Sequence, residues 1–244
     1  MELGLGRYHL IFLDIFCRKG YLVGQKLFFF RDIESYQFFK NYQMKSKHPI
    51  QICSDLAFLL KYDSHKKSSY KNSQVDVVIH LNNSSDREFF SVVNAIKDFR
   101  SESHITIESF SFISDSNKSV VKGEGGCRLS AIKDLGIKYS VIEYSGVDGL
   151  LNIISGSNII FTDKLHVGIS GIALGKKVVS LAKHQKIPRL YKQLKIENTC
   201  VYKEEVNSKN VQSALRSSWS KTPSDELIYS SLHEFSLSLE NFLT

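Results

Sequence analysis

Between residues 75 and 200 one rhythm governs the sequence. Short β-branched and aromatic runs recur, and each is followed by a stretch with apolar residues at helical spacing. "VDVVIHL" (75–81), "HITIESFSFIS" (104–114), "KYSVIEY" (138–144), "NIIFT" (158–162) and "KKVVSL" (176–181) read as strands. "DREFFSVVNAIKDF" (86–99), part of 115–136, "GVDGLLNIIS", 164–174 and 188–195 read as helices, the last opening at Pro188, a favoured first-turn residue. Parallel neighbours need a long crossover, and a helix supplies it. The alternation therefore predicts an α/β fold with a doubly wound parallel sheet.

Upstream the pattern is less regular. "QKLFFFRD" (25–32) reads as a buried strand, and "DIESYQFFKNY" as a helix with Asp32 placed to cap it. "HPIQICSDLAFLL" reads as proline, short strand, turn and apolar close. "KYDSHKKSSYKNSQ" (61–74) is polar, charged and Ser-rich, which suits a linker. Three regions are expected: part of an N-terminal α/β domain (1–62), a C-terminal Rossmann-like domain (75–204), and C-terminal helices (205–244), roughly 207–219 and 223–243.

Composition narrows the function classes. At 244 residues, 42% hydrophobic and 23% charged, the chain has enough apolar material for a core and an ordinary soluble make-up. No apolar run reaches the about 20 residues that span a bilayer, and the N-terminus lacks the basic start and cleavage site of a signal peptide. Cys17, Cys53, Cys127 and Cys200 are scattered without CxxC spacing. Neither a zinc site nor a disulfide framework is expected, no metal is predicted, and a reducing cytoplasm fits. The net charge of +7 fits either an anion-attracting surface or a Lys-rich solvated one. The lysines look dispersed apart from "SHKKSSYKNS", which favours the second, and no motif points to nucleic acid.

In open α/β sheets, ligands bind beyond the carboxyl ends of the strands. That rule singles out the strand-to-helix junctions, above all "NIIFTDKLHVGISGIALGKKVVSL" (158–181). Thr162 or Asp163 is expected to cap the helix there, leaving backbone N–H groups and the positive dipole end for an anion. Lys164 adds a full charge, and His166 can exchange a proton near neutral pH. Gly168, Ser170, Gly171 and Ala173 let the helix approach the sheet, and Gly175 suits its C-terminal cap. A plainer reading makes His166 a packing or capping residue and pairs Arg31 with Asp32 or Glu34.

Thr162-Asp163-Lys164-Leu165-His166 resembles the Arg-Leu-His element of the polysaccharide pyruvyl transferase family, often preceded there by Thr-Asp. That element is followed by a small-residue helix, Gly-x-Pro-Val-Val and a loop with a lysine. Gly175-Lys176-Lys177-Val178-Val179 and Lys186 stand in the corresponding places. "FFFRDIESYQFFKN" resembles the family's Arg-Asp-x-x-Ser phrase through Arg31, Asp32 and Ser35. "SDLAFLL" resembles its Asp-Pro-Ala-Phe-Leu-Leu phrase, with Leu56 in place of proline.

The resemblance implies a glycosyltransferase-B-like architecture and transfer of the enolpyruvyl unit of phosphoenolpyruvate to a sugar as a ketal, in bacterial surface-polysaccharide synthesis. It implies His166 as the acid–base group, with Arg31, Lys164, Lys186, Thr162 and Asp163 binding substrate. The donor phosphate and carboxylate call for fixed cations. No cofactor is expected beyond phosphoenolpyruvate itself as donor. The expected partners are phosphoenolpyruvate and a glycan or lipid-linked saccharide, with proximity to a membrane surface and self-association. Three departures stand out. Lys164 replaces an arginine and loses its carboxylate-matching fork. Asn82 stands where the family often has an arginine. Only some 25 residues precede the Arg-Asp-x-x-Ser phrase, so a shortened N-terminal domain is expected. Two alternatives are a nucleotide-sugar glycosyltransferase using Glu143 and Asp148, and a catalytically inactive fragment.

Overall fold

In a computed structural model of the chain the described residues are 28–30, 37, 40–41, 50–52, 58, 74–103, 106–114, 125–221, 223, 233 and 237. Strands β1 (Phe28–Phe30) and β2 (Ile50–Ile52) pair in parallel as a two-stranded sheet. The main body follows as β3 (Gln74–His80), α1 (Asp86–Glu102), β4 (Thr106–Ser114), α2 (Gly125–Lys133), β5 (Lys138–Glu143) and α3 (Val147–Gly156). It continues as β6 (Ile159–Thr162), α4 (Leu165–Ala173), β7 (Lys177–Ala182), α5 (Lys186–Gln193), β8 (Cys200–Tyr202) and α6 (Ser208–Ser220).

The six strands of this body run in the order β5-β4-β3-β6-β7-β8, and every neighbouring pair is parallel. The chain builds outward from β3 to β5, then returns to the other side of β3 and builds outward again. Because side chains alternate along a strand, each strand feeds both faces. Val77 and Ile79 join one apolar cluster with Phe161, Val179 and residues of α1, α2 and α6. Val78 joins the other with Ile160, Val178 and residues of α3, α4 and α5. Burial on both faces explains why β6 and β7 read as nearly continuous apolar runs, whereas β4 alternates and β5, at the edge of the sheet, has no buried residue. Phe58, from the phrase "SDLAFLL", is fully buried in this second cluster.

Local chemistry sets the helix ends. At α1, Ser85 Oγ accepts the Glu88 N–H at 3.3 Å, and Glu88 Oε2 accepts the Ser85 N–H at 2.5 Å. This reciprocal capping box is spelled "SDRE" in the sequence. At the end of α4, Gly175 takes φ +71, with Gly175 N–H donating to Ile172 O at 3.0 Å and Lys176 N–H to Gly171 O at 2.9 Å. That is the Schellman closure for which glycine is suited.

Two expectations need correction. Helix α5 starts at Lys186, not Pro188. The first N–H groups of any helix lack intrahelical acceptors, so a proline inside the first turn costs no bond. Strand β8 has no counterpart in the sequence reading; its three residues are too few to show alternation. Of the second tail helix, 223–243, the described residues His233 and Leu237 are helical and Pro223 is not; the others lie outside the described residues.

Helix α4 lies close to the sheet because it lacks side chains where it touches. A Cβ on Gly171 would stand 2.6 Å from Ile160 Cδ1 and 2.8 Å from Val178 Cγ2, whereas one on Gly156 would meet nothing within 4 Å. Gly171→Ala should therefore cost about 1–3 kcal/mol by overpacking, read as a lower denaturant midpoint. Gly156→Ala, at the end of α3, should show no comparable loss.

Candidate active site

The winding of the sheet reverses between β3 and β6, and the crevice at such a reversal is where open α/β sheets take their ligands. His80 and Thr162 end the two strands in register with each other. The turn Leu81–Ser84 leaves β3, and Asp163–Lys164 leaves β6. These two turns are tied together. Asp163 N–H donates to His80 O at 3.2 Å. Asp163 Oδ2 accepts the Asn83 N–H at 2.8 Å and the Ser84 hydroxyl at 3.0 Å. Asp163 is 8% exposed, so the tie is shielded from water.

Neither Thr162 nor Asp163 caps α4, contrary to expectation. Lys164 occupies the cap position, with no side-chain hydrogen bond across the helix start. Thr162 Oγ1 accepts the Lys164 N–H at 3.0 Å, and Asp163 turns toward the β3 turn instead. A carboxylate offered a backbone N–H and a hydroxyl on the neighbouring strand is held there rather than at its own helix. The first turn of α4 carries His166, which is exposed, and the partly exposed Lys164 flanks it. Beneath that turn Tyr191 Oη lies 2.5 Å from Ser180 Oγ, and a Cβ on Gly168 would be 2.8 Å from Tyr191 Oη. Burial holds the Tyr191 phenol well above its ordinary value. The pair forms a neutral, packed floor under the helix start.

The structure thus gathers Thr162, Asp163, Lys164 and His166 at the reversal point. It places Lys186 at the start of α5, after the adjacent strand β7 and at the same edge of the sheet. Arg31 lies outside the described residues. Thr162 is fully buried, so its hydroxyl shapes the turn. Asn82 Nδ2 and Asp163 Oδ1 are buried without a hydrogen-bond partner among the described residues, one donor and one acceptor on the facing turns. Glu143 and Asp148 flank the end of β5, two strands from the reversal point.

The sequence reading missed a charged pair at this edge. Lys183 Nζ, just past β7, lies 4.0 Å from Glu88 Oε2 in the first turn of α1, and both side chains are largely buried. Alongside, Arg128 Nε binds Asp86 Oδ1 at 2.5 Å, its NH2 group donates to Ser84 O at 2.8 Å, and its guanidinium lies 5.2 Å from the Phe89 ring centroid. Arg128 holds the Asp86 carboxyl below its ordinary value. The only sequence signal for Glu88 was the capping box. The half-buried Cys200 thiol is pushed up to about 12 by burial, so it is not a thiolate nucleophile at neutral pH. Among the described residues no cluster of His, Cys, Asp or Glu could hold a metal ion, and no helix is long and apolar enough to cross a membrane.

Solved structures share this architecture. The UDP-GlcNAc 2-epimerase of Neisseria meningitidis, bound to UDP-GlcNAc, superposes with a TM-score of 0.57 at 12% identity, covering 87% of this chain and 60% of that one. The S. aureus MnaA–UDP structure gives a TM-score of 0.51 at 12% identity, covering 84% of this chain and 53% of that one. The chain therefore spans less than two thirds of the length of these relatives in fold. At such identity the likeness speaks for the fold alone, which is the glycosyltransferase-B-like α/β class. No curated protein sequence matches the chain. The sequence profile of the polysaccharide pyruvyl transferase family matches residues 19–184, and the chain belongs to that family of transferases.

The tie across the crevice has a measurable consequence. Asp163→Ala should leave the Asn83 N–H and Ser84 hydroxyl without their acceptor and cost about 1–3 kcal/mol. Amide exchange at Asn83 should accelerate more than exchange in the distant β5.

Proposed function

We propose that the chain transfers the enolpyruvyl unit of phosphoenolpyruvate to two hydroxyls of a sugar in a surface polysaccharide, closing a pyruvate ketal and releasing phosphate. The observation that carries this reading is the pairing of Lys164 and the exposed His166 on the first turn of α4 at the reversal point, in a chain of this family. A helix start with an adjacent cation favours an anion, and the donor carries a carboxylate and a phosphate.

In this reading a proton is delivered to the donor methylene carbon, making it a methyl group. The electron-poor carbon next to it takes the first sugar oxygen. The bond from that carbon to the phosphate oxygen then breaks, and the second sugar oxygen takes its place. The two hydroxyl protons balance the one placed on carbon and the one that leaves with phosphate. His166 is the group suited to carry a proton near neutral pH. Lys164 and Lys186 offer point charges to the anionic donor, and Arg31 would add a fork-shaped one. Asn82 Nδ2 and Asp163 Oδ1, a donor facing an acceptor, match the two hydrogen-bonding capacities of one hydroxyl.

A second reading, transfer from a nucleotide sugar, draws on the epimerase relative whose structure holds UDP-GlcNAc. It is weakened by the place of Glu143 and Asp148, two strands from the reversal point.

The test is incubation of the 244-residue protein with phosphoenolpyruvate and a panel of terminal galactosides and N-acetylhexosamine glycans. Acceptor-dependent phosphate release with the mass gain of a ketal is the expected result. His166→Ala should then lower kcat by about 10²–10⁴-fold. Lys164→Ala should mainly raise the KM for phosphoenolpyruvate, and Lys164→Arg should keep it low. A folded protein that is inert with every acceptor yet binds UDP in calorimetry would shift the assignment to the second reading.

A further inference from the structure

Along the sequence the cations look scattered, but their opposites are not. Residues 164–196 contain eight Lys or Arg and no Asp or Glu. The other residues hold 24 Lys or Arg against 25 acids, so this one stretch more than accounts for the formal +7 of the chain. Within it the fold sorts the charges. Lys176 donates to Ser155 O and Lys177 to Trp219 O, at the amino end of β7. Lys183 turns inward to Glu88. Lys164 stands at the start of α4, and Lys186, Arg189, Lys192 and Lys195 lie three residues apart along α5 and just past it.

Lys186 stands at the edge that carries the crevice, and Arg189, Lys192 and Lys195 follow it on the outer side of α5. Ile187, Leu190, Tyr191 and Leu194 are buried in the core, so the polar half of α5 faces out. Lys186, Lys192 and Lys195 are exposed and Arg189 is partly exposed. Lys186, Arg189 and Lys192 turn by about 60° and climb about 4.5 Å per step, a span of about 9 Å from the edge that carries the candidate site, and Lys195, at φ +59, follows the end of the helix. The nearest acid in sequence is Glu197. Beside these cations stands Tyr202, 41% exposed, in register with Ala182 at the end of β8. Cys200 packs with the cluster that includes α5, and side chains two apart on a strand share a face, so Tyr202 stands on the α5 side.

We infer that the outer face of α5, with Tyr202, docks the protein on an anionic lipid bilayer. The inference does not depend on which reaction the crevice performs. The surface is convex, its cations sit on long side chains, and its apolar half is already used in the core. Such a face cannot enclose a small ligand or insert into acyl chains, but it can lie against a flat, diffuse negative potential. An exposed tyrosine beside it suits the headgroup layer, where one end of the ring is apolar and the other wet. A polynucleotide would instead be met by a cationic groove with stacking aromatics, and an eight-residue helix with one neighbouring tyrosine does not build one. Docked this way, the crevice opens beside the headgroups, within reach of a lipid-linked saccharide.

The experiment is flotation of the full chain with phosphatidylcholine vesicles containing no or 40 mol% phosphatidylglycerol, in about 50 mM and about 200 mM salt. The expected result is binding to the anionic vesicles alone, weakened by salt. Lys192→Glu with Lys195→Glu should lower the partition coefficient at least tenfold, and the corresponding double Gln variant should lose less. Lys97→Glu with Lys133→Glu makes the same change in net charge on α1 and α2, on the other face of the sheet, and should lose less than threefold. Melting curves verify that each variant is folded. The inference is overturned if the wild-type chain ignores anionic vesicles at low salt, or if the two Glu pairs weaken binding equally. It is also overturned if a single-stranded oligonucleotide strips the protein from vesicles at equal concentrations of charge.

Discussion

One carboxylate oxygen holds the two halves of the crevice together. Asp163 Oδ2 reaches from the end of β6 to the backbone and the serine that follow β3, while the Asp163 N–H returns to His80 O. The strands pair up to His80 and Thr162, and beyond them the Asp163 carboxylate adds two hydrogen bonds between the turns. With it, the start of α1 and the start of α4 become one rigid edge. The capping box of α1 begins one residue after Ser84, and the Arg128 guanidinium binds Ser84 O, so the same turn is gripped from three sides. The position of the first turn of α4, which carries His166, follows from this framework and from the close seat of α4 on its two glycines.

Much of the fold was legible because it rests on short-range pattern. Apolar runs, helical spacing and the glycine after α4 named the strands, most helices and one C-cap. The alternation also named a parallel, doubly wound sheet, and its strand order came from the structure. What escaped notice depended on distance in space. Glu88 and Lys183 are far apart in sequence, and no local rule brings them within 4.0 Å. Asp163 beside a helix start reads as its cap on every statistical ground, yet a better pair of donors waited on the neighbouring strand. β8 is three residues long and exists because β7 offers it an edge.

The site was legible in a different way. Lys164 and His166 were singled out by their junction and by family phrases, and the topology set that junction at the one place where the winding reverses. The fold relatives agree with this chain at 12% of positions, so the shared architecture rests on backbone geometry rather than on side-chain identity. Lys164, where the family phrase that this junction resembles has an arginine, keeps a charge and gives up planar, two-point recognition.

Phe58 has a consequence for how the chain can be divided. It lies upstream of the polar stretch 61–74, yet it is fully buried in the apolar cluster that includes Val78, Ile113, Ile154 and Ile160. A chain cut within that stretch would therefore carry its plug on the wrong fragment. The downstream piece would fold around a void of roughly a phenyl ring, a loss of about 3–5 kcal/mol, and would regain it when the upstream peptide returned. The apolar unit around β6 and α4 thus includes a residue from upstream of the polar stretch.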